Sequence, residues 1–393
     1  MRNVVIVEAK RTPVGSFGGS LKSYSAPELG ATTITEIIKN TGIDPKEIQE
    51  VVLGNVLTAG IGQAPARQAA LKAGLSELTP STTVNKVCAS GMKAMMIAAN
   101  QIQLEEADVI VAGGMESMSN VPYYLQKHRF GSKLGHAQAE DGIIKDGLWD
   151  VYNDFHMGNA AEICAKECNI SREQQDEFAI ESYKRAIKAH EEGYFDDEVI
   201  EMKIKDRKGN VTKVKVDDEL KRVNYDKIPQ LNPVFDKEGT VTPANASSIN
   251  DGAAAVLMMT EEKANELGLE PIARIMSQAS AAKKPEWFTT APADAMPKAM
   301  KRAGLAQDEI DLFEVNEAFS VVALANNQIL ELDPEKVNIH GGAVSIGHPI
   351  GCSGARIMVT LIHALKRTGG KYGCAGICNG GGGASSMVLE MLH

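Results

Sequence analysis

Gly42-Ile-Asp-Pro-Lys-Glu-Ile48, followed by the apolar run Val51-Val-Leu-Gly-Asn55, returns late in the chain as Gly304-Leu-Ala-Gln-Asp-Glu-Ile310 followed by Leu312-Phe-Glu-Val-Asn316. The step from Gly42 to Gly304 is 262 residues. Three further pairs keep the order. Ser90-Gly91 in Cys-Ala-Ser-Gly-Met-Lys corresponds to Ser353-Gly354 in Gly-Cys-Ser-Gly-Ala-Arg, a step of 263 residues. Val109-Ile-Val-Ala-Gly-Gly114 resembles Gly376-Ile-Cys-Asn-Gly-Gly381, and Gly252-Ala-Ala-Ala-Val-Leu-Met resembles Gly383-Ala-Ser-Ser-Met-Val-Leu. Each pair alone is weak, but four in one order read as a duplicated unit.

Within the units, short apolar runs alternate with helical periodicity. Val4–Val7, Val51–Leu53, Val109–Ala112 and Ala254–Met259 read as strands, with Gly113-Gly114 as a turn; Leu29–Thr41 and Met92–Gln103 read as helices. That alternation predicts an α/β fold with a largely parallel or mixed sheet. In the second copy the last two strands are joined directly, whereas in the first a long polar stretch separates them. Residues 1–119 plus 248–270 are therefore expected to form one half and 271–393 the other. Residues 120–247 form an inserted domain, in which Ser171-Arg-Glu-Gln174 is a capping box opening a helix over Phe178–Ala189. Insertions of this kind commonly shape a substrate site.

With 393 residues, 44% hydrophobic and 23% charged, the chain can bury a large core. Its 41 Lys and Arg against 51 Asp and Glu leave a net charge of −10, so nucleic acid and anionic membrane surfaces are not expected partners. A polyanion would need a local basic pocket. No run of apolar residues is long enough for a membrane span, and the start has neither signal-peptide nor transit-peptide character. Six cysteines without a CxxC pair indicate free thiols in a reducing compartment. The expected location is the cytoplasm, or the mitochondrial matrix if a leader has been removed.

Four segments carry candidate chemistry. Cys88 lies where a short strand meets a helix beginning near Ser90, and a helix N-terminus favours thiolate. The competing reading is a small buried hydrophobe. His348, in Gly341-Gly-Ala-Val-Ser-Ile-Gly-His-Pro-Ile-Gly-Cys-Ser-Gly-Ala-Arg356, precedes a helix expected near Ser353 and is a base of the kind such a thiol needs. Cys378-Asn-Gly-Gly-Gly-Gly383 exposes successive backbone N–H groups suited to an oxyanion, or forms only a flexible turn. Asn316, in Asn-Glu-Ala-Phe-Ser320 after an apolar strand, is a turn former or an amide that holds a water. Neither a Walker A sequence nor a dinucleotide fingerprint is present, and the Cys374/Cys378 spacing lacks a second pair for zinc.

Taken together, these segments resemble the thiolase family over essentially the whole chain, and most closely its short-chain acetyl-CoA acetyltransferase branch. His156-Met157-Gly158 and Val241-Thr-Pro-Ala-Asn-Ala-Ser247 carry that last likeness. The resemblance implies two βαβαβαββ halves in a layered αβαβα core with an inserted loop domain. It implies reversible Claisen condensation of two acetyl-CoA to acetoacetyl-CoA and CoA. Cys88 would be the acetylated nucleophile, His348 its base, and Cys378, expected to have a near-neutral pKa, the acid/base at the α-carbon. Asn316 with His348, and the N–H groups of Cys88 and Gly380, would hold the oxyanions. Coenzyme A would meet Ser247, His156, Met157, Tyr183, Arg222, Val223, Asn224 and Lys227.

A potassium ion would sit near Tyr183, Ala244, Ala246 and Val344, with no tightly bound cofactor otherwise, and Trp287-Phe288-Thr289 resembles the segment linked to 2-methyl-branched substrates. Segments around Met115–Ser119 and Arg129–His136 resemble family oligomer contacts, implying a homotetramer. Alternative readings are a broad-range 3-ketoacyl-CoA thiolase and a non-catalytic acyl-CoA-binding relative.

Overall fold

The structure, a computed structural model, describes residues 2–205 and 208–392. Its first half contributes β1 (Val4–Arg11), β2 (Glu50–Gly54), β3 (Ser81–Val84), β4 (Val109–Ser117) and β5 (Asn250–Thr260). The second contributes β6 (Ala273–Ala282), β7 (Leu312–Val315), β8 (Tyr372–Asn379) and β9 (Gly383–Met391). Together with the short strand Gly15–Ser16 they form one continuous sheet, in the order β3-β2-β4-β5-β1-β6-β9-β8-β7. In each half the last strand lies antiparallel between the first strand and the one preceding it in sequence. The duplicate of β3 is reduced to a parallel bridge between Phe313 and Val337. The halves meet where β1 pairs with β6 at Val5–Arg274 and Ile6–Ala273.

Equivalent helices follow equivalent strands: α1 (Ala26–Thr41), α2 (Pro65–Lys72) and α3 (Ser90–Gln103) in the first half, then α6 (Pro292–Ala303), α7 (Ser320–Leu330) and α8 (Ile350–Thr368) in the second. The inserted stretch supplies α4 (Met157–Glu167) and α5 (Arg172–Glu191), and α5 is opened by the Ser171/Gln174 capping box. Among the described residues, 118–249 add no strand to the large sheet. α3 and α8 lie in the middle, packed on Val52, Ile110 and Ala112 of one half and on Ala375, Ile377, Met387 and Leu389 of the other. Val51, Leu53, Val109 and Val111 face outward against α1 and α2, while Phe313, Val315 and Val388 face α6. Strands covered on both faces read as continuous apolar runs rather than alternating ones.

The repeated sequence signals have structural causes. Gly42 and Gly304 end α1 and α6 in the left-handed region, with φ of 68° and 74°, and a single 3₁₀ turn then feeds each following strand. The Ser-Gly pair recurs because α3 and α8 cross there: a Cβ on Gly91 would sit 2.8 Å from Ala355 N, and one on Gly354 2.5 Å from Met92 N. Two expectations are corrected. Gly113-Gly114 is not a turn, since β4 runs through it to Ser117; a Cβ on Gly114 would lie 2.1 Å from the Gly351 carbonyl, so glycine admits the end of α8. α8 itself opens at Ile350, three residues before Ser353, because Pro349 sets its N-cap. No helix among the described residues is long and apolar enough to cross a membrane.

Buried carboxylates give stability a pH dependence. Burial pushes Glu314, 3.6 Å from Arg356, up to about 8, and Glu116 up to about 7. Both sit above their unfolded values, so the folded chain holds protons that the unfolded chain has lost. Their stabilisation is complete below the unfolded value and disappears as pH rises through 7 and 8. Denaturant titration should show stability falling by about 1 kcal/mol between about pH 7 and 8, and Glu314→Gln should remove most of that slope. Lys86, lowered to about 8, begins to lose its proton in the same window and offsets part of the fall.

Candidate active site

A cavity of about 740 Å³ opens between the insertion and the meeting point of the two halves. Its walls include Cys88, His156, Met157, Ser247, Phe288, His348 and Gly380, with Arg222 also in the lining.

Cys88 is displayed by a strained turn between β3 and α3. Val87 has a φ of 47°, costly for a β-branched residue. Ser90 holds the turn, accepting from Lys86 N–H at 2.8 Å and donating to the Val87 carbonyl at 2.6 Å. The N–H groups of Gly380 and of Cys88 itself hydrogen-bond the thiol sulfur and favour thiolate. Burial outweighs them, and the adjacent Glu116 charge adds to it, so the thiol is pushed up to about 11. The helix terminus therefore does not yield a resting thiolate, contrary to the sequence expectation; Cys88 needs a base.

His348 has the properties of that base. Gly347, at φ 113°, turns the chain, and the Asn250 Oδ1 accepts the His348 backbone N–H at 2.8 Å. The imidazole Nδ1 lies 2.6 Å from Ser353 Oγ, whose own proton goes to the Pro349 carbonyl at 2.9 Å. Ser353 must then accept from Nδ1–H, which leaves the Nε2 lone pair free. Nε2 has no partner among the described residues. Burial, helped by Arg356, lowers the ring to about 3, so it stays neutral and proton-accepting at physiological pH.

Ser353 was visible in the sequence only as half of a repeated pair; its link to His348 needed the fold. Ser353→Ala should lower kcat roughly ten- to a hundred-fold with little change in KM, because the tautomer is no longer imposed. Ser353→Thr should restore most of the rate. Steady-state kinetics with a pH profile checks both.

Glu116 is a second residue the sequence did not single out. Fully buried at the end of β4, it accepts from Asn55 Nδ2 at 2.6 Å, Val56 N at 3.0 Å, Leu57 N at 3.2 Å and Gly351 N at 3.0 Å. It ties the start of α8 to the loop after β2, and its charge reaches Cys88. The sequence places it only within the Met115–Ser119 segment expected at an oligomer contact, of which residues 115–118 are buried inside the chain.

The remaining candidates are distributed unevenly. Cys378, at the end of β8, and Asn316, just after β7, are buried and absent from the cavity lining. The Cys378 thiol is nonetheless close enough to Cys88 to feel its charge, and burial first, then that charge, push it well above the ordinary thiol value. It does not have the near-neutral pKa expected of it. Both amide atoms of Asn316 lack partners among the described residues, an arrangement suited to holding a small polar guest. Gly380 begins the turn that continues through Gly381 and Gly382 at φ 82° and 84°; a Cβ on Gly380 would touch Met157 Sδ and Val87, each at 3.5 Å.

His156 caps α4, its Nδ1 accepting from Gly158 N at 3.0 Å, and stacks on Phe235 at 4.7 Å. Ser247 Oγ donates to the Ala318 carbonyl at 2.7 Å. Arg222 lies 3.7 Å from Glu219. Val223, Asn224, Lys227 and Tyr183 do not line the cavity; Lys227 is exposed, and Val223 packs on the buried cluster that holds Tyr183 and Val344. Ala246 lines the cavity and Ala244 does not.

A buried neutral base, a partly buried thiol with two N–H donors and an apolar channel are the equipment of acyl transfer through a thioester. The chain belongs to the thiolase family: residues 4–262 match the thiolase N-terminal domain and 269–391 the thiolase C-terminal domain. It is 56% identical over 393 residues to the mitochondrial acetyl-CoA acetyltransferase of Bos taurus, covering 100% of this chain and 92% of that one. It is 52% identical to a cytosolic acetyl-CoA acetyltransferase of Gibberella zeae, covering 99% and 98%. Among solved structures, the acetyl-CoA acetyltransferase of Bacillus anthracis superposes with a TM-score of 0.97 at 42% identity, covering 100% and 99% of the two chains. The Acat5 thiolase from Ascaris suum in complex with coenzyme A gives 0.94 at 43% identity, covering 100% of each.

Proposed function

We propose that this chain is an acyltransferase that interconverts two acetyl-CoA with acetoacetyl-CoA and CoA through an acetyl group carried on Cys88. The observation that carries this reading is the convergence of the Cys88 thiol, the Gly380 N–H and the free Nε2 of His348 on one apolar cavity. His348 takes the Cys88 proton; the thiolate attacks the thioester carbonyl, and the two N–H groups receive the oxyanion. CoA leaves, its thiolate taking the proton of Cys378, which becomes the thiolate. A second acetyl-CoA then loses an α-proton to Cys378, and its enolate oxygen is held by His348 and the Asn316 amide. The carbanion attacks acetyl-Cys88: a carbon–carbon bond forms, the carbon–sulfur bond breaks, and Cys88 takes its proton back. Ser247, His156 and Met157 form the pantetheine channel, with Arg222, Val223, Asn224 and Lys227 toward the nucleotide end.

The direct test follows loss of acetoacetyl-CoA in the presence of CoA. No loss, with longer 3-ketoacyl-CoA cleaved instead, would overturn the short-chain reading. Met157 faces Gly380 across the acyl end of the cavity, so Met157→Ala should raise kcat/KM for a six-carbon substrate relative to acetoacetyl-CoA by about ten-fold or more, at 1 to 3 kcal/mol per accommodated methylene. Comparison of the two specificity constants checks it.

Three finer readings accompany this one. Potassium activation is supported by the packing of Tyr183 with Val344 and by the nearby Glu219 and Glu317, which make that region electronegative; a potassium-insensitive rate would remove it. A homotetramer is supported by Phe130 and Leu134, two large apolar side chains 92% and 100% exposed on the segment that resembles family oligomer contacts; light scattering would measure it. The working location is proposed to be the cytoplasm, and cell fractionation decides it.

A further inference from the structure

We propose that a second cavity, of about 300 Å³ on the outer face of α5, is a binding site for a small phosphate dianion, separate from the acyl-transfer site. It is lined by Lys184, Arg185 and Lys188 of α5, by Arg367 at the end of α8, and by Glu181 and Glu335. Four cations against two carboxylates leave two surplus positive charges on a chain whose net charge is −10.

The two carboxylates are already engaged. Arg185 Nε donates to Glu181 at 2.8 Å, its Nη2 to Glu335 at 3.3 Å, and its Nη1 to the carbonyls of Pro334 and Val337 at 3.0 and 2.8 Å. Arg185 is thus a fixed part of the wall. Lys184, Lys188 and Arg367 have no carboxylate partner among the described residues, although Lys184 and Lys188 are neighbours one helical turn apart and repel each other. Arg367 is held in place without being neutralised. Its Nε donates to His340 Nε2 at 3.0 Å, and its guanidinium lies 4.0 Å from the centre of the Tyr194 ring. Burial lowers His340 to about 4, so it is a neutral acceptor and cancels no charge. Of the carboxylates around this wall, Glu192 accepts the Tyr194 hydroxyl, and Glu198, whose charge reaches His340, is paired with the buried Arg11. The guanidinium ends therefore remain available for a planar, two-point grip on phosphate oxygens, with two ammonium groups alongside. Such an arrangement costs stability when empty and regains it on binding a dianion.

Titration calorimetry with inorganic phosphate at about pH 8, where it is the dianion, performed on the intact protein saturated with CoA, tests the site. CoA fills the other place where phosphates are expected, beside Arg222. The expected result is one saturable site that CoA does not block, weakened at least ten-fold in Lys184→Ala/Lys188→Ala and in Arg367→Gln. Thermal unfolding of each variant controls for folding, and Arg367→Lys, which keeps the charge but loses the fork, should fall between. The proposal is overturned by the absence of saturable binding, by binding that CoA abolishes, or by affinity unchanged in both variants.

Discussion

Cys88→Ala is expected to reduce acetoacetyl-CoA thiolysis by about 10⁴-fold or more, because no second thiol lines the cavity among the described residues. The His348 variant should be nearly as damaged. Burial holds the Cys88 thiol at about 11 and the imidazole at about 3, so neither ionises usefully alone at neutral pH. Only a transfer between them during attack yields the nucleophile. Groups that act as one unit do not lose activity additively, so Cys88→Ala/His348→Ala should be scarcely slower than either single variant. Alkylation gives an independent readout. Iodoacetamide should label wild-type Cys88 faster as pH rises toward 11, and acetyl-CoA should protect it by capping the sulfur. A double variant slower than both singles by the product of their losses would show that the thiol and imidazole work separately.

Much of this arrangement is legible in the sequence alone. Glycine-terminated helices, the Ser-Gly crossing and the apolar strands are local signals, and duplication printed each of them twice. That is why the order of strands in one half predicts the order in the other. The misread positions share a cause. Gly113-Gly114 looked like a turn because paired glycines usually are, yet they sit in mid-strand to admit the Gly351 carbonyl. That approach comes from a helix far along the chain, and no local pattern reports it. Ser353, Glu116 and Asn250 escaped notice for the same reason: each acts through a partner distant in sequence or across a helix turn. The thiol pKa values were misjudged because a helix terminus can be read from sequence, whereas the degree of burial that overrides it cannot.

Cys378→Ala should separate the two halves of the reaction. Acetyl exchange between acetyl-CoA and CoA depends on Cys88, His348 and the two N–H donors and moves no proton to or from carbon; without Cys378, CoA can still leave as its thiolate. It should persist within about ten-fold of wild type, whereas condensation and thiolysis of acetoacetyl-CoA should fall by roughly 10²- to 10⁴-fold, the usual range for a lost general acid or base. The electrostatics impose an order on these events. Burial raises Cys378 most, and the charge of Cys88 raises it further, so the two sulfurs resist being thiolates together. Acetylation of Cys88 releases CoA thiolate beside Cys378, and the departing thiolate takes that thiol's proton while Cys88 is a neutral thioester that cannot repel the new charge. Cys378 becomes an effective base only once there is an acetyl group for the carbanion to attack. Solvent-proton exchange into the methyl group of acetyl-CoA measures this directly. It should require an acetylated Cys88, be lost in Cys378→Ala, and be lost equally in Cys88→Ala although Cys378 is intact. Rapid methyl exchange in the Cys88 variant would show that Cys378 ionises independently of its neighbour, and the proposed ordering would fail.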